Sequence, residues 1–132
     1  MSEPRRVVGA AILRRTPEGL EVLAAQRVDP PEVAGQWEFP GGKVEPGESP
    51  DDAVRREVSE ELDVEIEVTG WLDGETAPRA DLRLRVATAR LVQGDPHPHE
   101  HAAIRWVRCD DLDAVPWLAS DVPFLHQLRE RS

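Results

Sequence analysis

The chain has a single cysteine, Cys109, in 132 residues, so no disulfide can form within it. A lone cysteine of this kind is expected as a small buried hydrophobe. Basic residues are short against acids, 16 to 26, and the net charge is −10. That shortage argues against a nucleic-acid polymer or a membrane surface as partner, since both are bound through basic patches. Anionic small molecules stay open, provided metal ions bridge the like charges. No apolar run approaches the roughly 20 residues of a membrane span. No long apolar h-region stands behind the first six residues, so no signal peptide is expected, and a cytoplasmic protein follows. Repeats and low-complexity segments are also missing.

What is present fits one globular domain over 1–132, with 39% hydrophobic and 32% charged residues. Residues 6–14 are apolar and β-branched and predict a buried strand. Thr16-Pro17-Glu18-Gly19 is turn chemistry, and Leu20 to Arg27 reads as the returning strand. Trp37-Glu38-Phe39 reads as a short strand stopped by Pro40-Gly41-Gly42, with a loop from Gly41 to Glu48. Further strands are expected over about 64–72, 82–92 and 104–107, a helical turn over 110–113, and a closing helix from Asp121 to about Arg129. In that helix Phe124, Leu125 and Leu128 face the core. The pattern is α+β.

One helix has sharp signals. Ser49 is a good N-cap, Pro50 suits the first helical position, and Asp52 can complete a capping box. Val54, Val58 and Leu62 make an apolar stripe that ends near Leu62 or Asp63. Glu57, Glu60 and Glu61 sit at i, i+3 and i+4, which predicts three carboxylates on one side at the margin of the core. Like charges in that position are unfavourable unless something compensates. Arg55 and Arg56 neutralise part. Hard oxygen ligands without histidine or cysteine suit Mg²⁺, or Mn²⁺, and such ions keep waters and meet phosphates. Glu48 adds a fourth carboxylate, and the glycines before it let backbone approach a ligand.

The joint spacing carries more than any part of it. Gly42, five residues, Glu48, seven residues, Arg56-Glu57-Val58, one residue, Glu60-Glu61, one residue, Asp63-Val64 resembles the Nudix box over 42–64. Asp63 alone departs, standing where that family has a glycine. The left-handed conformation expected there costs an aspartate about 1 kcal/mol. Ala25-Gln26-Arg27, Trp37 to Lys43, Glu100 and Trp117 to Asp121 are similar to the MutT branch, so the resemblance covers nearly the whole chain, most densely over 22–64.

The resemblance implies a mixed sheet sandwiched between helices. It also implies hydrolysis of a nucleoside triphosphate to monophosphate and pyrophosphate, of the 8-oxo-dGTP or (d)CTP type. The partner is then a small nucleotide, acting with Mg²⁺ or Mn²⁺. Glu57, Glu60, Glu61 and the Gly42 carbonyl are the implied metal ligands. Glu60, Glu57 or Glu100 takes the proton of the attacking water, and Arg56 with Glu48 orients the helix. Arg27 and Lys43 are candidates for phosphate, and Glu38 for metals or phosphate. Trp37, Phe39 and Asp121 are candidates for the base. A carboxylate at 121 only accepts hydrogen bonds unless protonated, and the alternative role for Asp121 is the N-cap of the last helix. His97, His99 and His101 point one way in an extended loop, where solvated histidines beside Glu100 outweigh a zinc site. Another diphosphate such as ADP-ribose, or a silent nucleotide-binding module, is the alternative function. The intact helix carboxylates argue against silence. Monomer and homodimer both remain open.

Overall fold

The structure, a computed structural model, describes residues 3–132. Seven strands form a mixed sheet: β1 (Arg5–Thr16), β2 (Gly19–Gln26), β3 (Trp37–Glu38), β4 (Gly41–Lys43), β5 (Glu65–Trp71), β6 (Leu82–Gln93) and β7 (Ala103–Arg108). The long β1 is its spine. Its first part pairs parallel with β6 and antiparallel with β4, and its last four residues form the hairpin with β2. β3 and β7 flank β2, and β5 flanks β6.

The apolar run of β1 is explained by burial on both faces. Val8, Ala10 and Ile12 point into one core with Ala53, Val54, Val58 and Leu62 of helix α1 (Pro50–Leu62). Ala11, with Val7 and Leu13 packed around it, points into the other. That second core holds Phe124 of a 3₁₀ turn (Val122–Phe124) and Leu125 and Leu128 of helix α2 (Leu125–Arg131). The sheet therefore lies between α1 and α2, the expected α+β sandwich. Val54, Val58 and Leu62 are fully buried. Each contributes about 1.5–3 kcal/mol by leaving water.

Local signals explain the ends of α1. Ser49 Oγ accepts from the Asp52 amide at 3.1 Å, one half of the predicted box. Asp63 closes the helix at φ 59°, ψ 40°, the left-handed conformation expected of the missing glycine. Leu112–Ala114 is a 3₁₀ turn. Two expectations need correction. Residues 41–43 are strand, because glycines at 9 and 41 let β4 lie directly against β1; a methyl group on Gly41 would overlap the Val8 carbonyl. The closing helix begins at Leu125, and Asp121 makes no capping bond to it. Among the described residues no helix is long and apolar enough to cross a membrane.

Candidate active site

Helix α1, strand β4 and the loop between them are tied by one side chain. Arg56 Nε donates to Glu48 Oε2 at 2.8 Å and Nη2 to Glu48 Oε1 at 3.0 Å, a two-pronged pair. Nη2 also donates to the Lys43 carbonyl at 3.1 Å, and Nη1 to Glu57 Oε1 at 2.9 Å. The Arg56 bond and that of the Glu45 amide hold the Glu48 carboxyl below its usual range. Arg56 thus fixes loop, helix and Glu57 together.

The three helix carboxylates do not share one environment. Helical geometry turns about 100° per residue, so Glu61, Glu57 and Glu60 stand about 60°, 100° and 160° from the direction of buried Val58. Their side chains follow that order, 7%, 19% and 60% exposed. Glu60 faces outward, 3.4 Å from Arg56, and does not border the cavity below. The three acids share one side of the helix, within about 100°, as expected, but only Glu57 and Glu61 reach the margin of the core and the cavity below.

Glu57 and Glu61 line a cavity of about 310 Å³ with Glu38, Glu100, His101, Gly41, Gly42, Arg27 and Lys43. Glu57 lies so close to Gly42 that a Cβ there would overlap its carboxylate. Glu61 is the buried acid of the group, and its Oε2 has no partner. Burial, then the charges of Glu38 and Glu57, push its carboxyl up to about 9, and a hydrogen bond from the Gly41 backbone opposes them. Such a group is neutral at pH 7 unless a cation arrives.

His101 belongs to this cavity, and sequence reasoning left it in solvent. Its ring is 7% exposed, its Nε2 is 2.8 Å from Glu38 Oε2, and its unpartnered Nδ1 is 3.9 Å from Glu61 Oε2. The alternation of His97, His99 and His101 was the available signal, but only His101 turns inward. Glu38 also accepts from Arg27 Nη1 at 3.0 Å, and Arg27 Nε donates to the Asp29 carbonyl.

A second, larger cavity of about 720 Å³ adjoins the first. Arg27, Glu38, Gly41, Gly42 and Lys43 line both. Its walls are largely apolar, with Phe39 on one side and Leu118 to Asp121 on another. Phe39 stacks obliquely on Trp117, 5.0 Å between ring centres. Trp37 is not in this wall; it packs against the α2-side core, and its backbone bonds Pro116 and Leu118. Asp121 is 3% exposed, and its Oδ2 accepts from the Phe39 amide at 3.2 Å. Burial and the Glu38 charge push it up to about 8, against the pull of the Phe39 amide and Arg27. Asp121 is therefore largely a neutral carboxyl at pH 7, with one donor as well as acceptors.

A model of the NUDIX domain matches residues 3–128. The chain belongs to the Nudix family. A Mycobacterium tuberculosis protein provisionally named 8-oxo-dGTP diphosphatase 2 is 41% identical over 118 residues, 87% of this chain and 81% of its own length. The CTP pyrophosphohydrolase of Escherichia coli is 36% identical over 121 residues, 89% of this chain and 87% of its own. The crystal structure of a MutT Nudix hydrolase from Burkholderia pseudomallei superposes with a TM-score of 0.80 at 33% identity, covering 96% of this chain and 98% of that one.

Nudix hydrolases generally need a divalent metal ion. Among the described residues no three His, Cys, Asp or Glu side chains converge closely enough to grip an ion as they stand. The donor set nonetheless fits one. Its donors are hard oxygens, the buried Glu61 Oε2 lacks a partner, and the bare Gly42 backbone faces Glu57.

Proposed function

We propose that this Nudix chain hydrolyses a nucleoside triphosphate to the monophosphate and pyrophosphate, with 8-oxo-dGTP or (d)CTP as substrate and Mg²⁺, or Mn²⁺, as cofactor. The observation that carries this is the junction of the two cavities. An acid-lined hollow suited to metal-bridged phosphates opens into an apolar one large enough for a nucleoside, and the strand Gly41–Lys43 borders both.

Glu57, Glu61 and the Gly42 carbonyl hold the metal in this reading, and Glu60 joins them only by leaving Arg56. A bound divalent cation offsets the polyphosphate charge and makes a bound water more acidic. Arg27 and Lys43, at the junction, take phosphate oxygens. Glu57 or Glu100 accepts the water's proton, since both border the hollow and are more exposed than Glu61. Arg56 and Glu48 keep the helix in register with β4, which is positioning rather than bond chemistry.

Asp121 supplies the base preference. A neutral carboxyl pairs with an adjacent acceptor and donor. Cytosine presents N3 beside its amino group. In 8-oxoguanine O6 lies beside a protonated N7, where ordinary guanine has two acceptors on that edge. The names of the relatives in both substrate classes support this common pattern.

The test is Mg²⁺-dependent product analysis with 8-oxo-dGTP, dGTP, CTP, dCTP and ADP-ribose. The expected products are a monophosphate and pyrophosphate from 8-oxo-dGTP or a cytidine nucleotide, with dGTP slower than 8-oxo-dGTP. Cleavage of ADP-ribose alone, or of nothing, overturns the reading.

A further inference from the structure

The loop 94–102 between β6 and β7 carries Glu100 and is mostly solvent-exposed; the Ala102 amide, donating to the Gln26 carbonyl at 2.9 Å, joins it to β7, and ahead of that join it is fastened at two places. Prolines at 96 and 98 have no amide hydrogen, so the donors fall at the positions between and after them. The His97 amide donates to the Leu62 carbonyl at 2.9 Å, and the His99 amide to the Glu61 carbonyl at 3.2 Å. These carbonyls lie at the C-terminal end of α1, where acceptors lack helical partners and where the last turn has no basic residue. The second fastening is the His101 ring, bonded to Glu38 on β3. Glu100 sits between these anchors and borders the acid cavity.

We propose that His101 is a positioning residue, which latches the loop over the acid cavity through Glu38 and so fixes where the Glu100 carboxylate stands. A carboxylate oxygen can only accept, so Nε2 donates to Glu38. The same bond holds Glu38 between two donors, His101 and Arg27, and away from the partnerless oxygen of Glu61. Removing the ring releases the loop and leaves Glu38 with Arg27 as its one side-chain donor. The backbone bonds of His97 and His99, made to one helix end by an exposed segment, then open more often. The proposal rests on the reading of this cavity as the hydrolytic centre.

The experiment compares His101→Ala and His101→Gln with the native chain, by steady-state kinetics on the preferred triphosphate and by amide hydrogen exchange without metal or nucleotide. In His101→Ala, kcat is expected to fall about 10- to 100-fold with KM within about threefold. Exchange protection of the His97 and His99 amides falls at least about tenfold. Glutamine carries a donor at a similar reach, so His101→Gln recovers most of both. Unchanged protection in His101→Ala overturns the latch, as does a lost rate with protection intact, or a glutamine variant no better than alanine. Because the exchange arm needs no substrate, the two failures separate. A native chain that cleaves no triphosphate overturns the hydrolytic reading, and an active one indifferent to His101→Ala overturns this inference alone.

Discussion

Asp121 accepts the amide hydrogen of Phe39 at 3.2 Å, across 82 positions of sequence and inside the core. That bond places a carboxyl at the end of an apolar cavity with almost no contact with water. Its folded pKa, about 8, lies above the ordinary 3.8, chiefly through burial. The folded state therefore holds the proton more tightly than the unfolded chain. Stability from this group is complete below pH 3.8, declines as pH rises toward about 8, and levels off above it. Asparagine keeps an acceptor for Phe39 and carries no charge. Asp121→Asn is expected to be more stable than the native chain at pH 8, by on the order of 1–3 kcal/mol, and equal to it near pH 4. Urea unfolding at the two pH values measures this. A variant less stable at both contradicts the assignment of a neutral carboxyl.

Adjacent glycines in β4 make opposite demands. A Cβ at Gly41 meets the Val8 carbonyl and the Gly9 backbone, whereas one at Gly42 meets first the carboxylate end of the Glu57 side chain. Gly41→Ala must push β4 off β1, and a loss of about 2 kcal/mol or more is expected. Gly42→Ala needs only that Glu57 swing aside. It should keep its melting temperature within a few degrees and lose about 100-fold in kcat/KM. Measuring both quantities on both variants separates the roles; equal damage to stability contradicts them.

The parts of the fold that follow local rules were legible in the chain. The start of helix α1 is legible to the residue and its end to Leu62 or Asp63, because cap, proline and apolar period agree, and the doubly buried β1 shows as a continuous apolar run. Strand β4 was hidden, since three residues reading Gly-Gly-Lys have no pattern and its partner lies more than thirty positions away. At the site, spacing gathers Glu48, Arg56 and the three acids of α1 on one side, but how far each acid sinks toward the core depends on the packing of the helix, which leaves Glu60 outermost. Trp37 and Phe39, two positions apart, both pack against the α2-side core, but only Phe39 reaches the wall of the larger cavity. His101 and Asp121 depend on burial and on partners far along the chain, Glu38 and Phe39, so neither the inward ring nor the raised carboxyl had a local sign.

The assignment of the acid cavity as the hydrolytic centre rests most heavily on Glu61, whose buried oxygen has no partner among the described residues. The most direct measurement is kcat/KM of Glu61→Gln on the best triphosphate of the panel at saturating Mg²⁺, beside its melting temperature. Glutamine keeps the shape and the acceptor for Gly41 and loses the charge. The expected result is a fall of about 10²–10⁴-fold with the fold as stable as before or more so. Turnover within about threefold of the native chain would place the chemistry elsewhere.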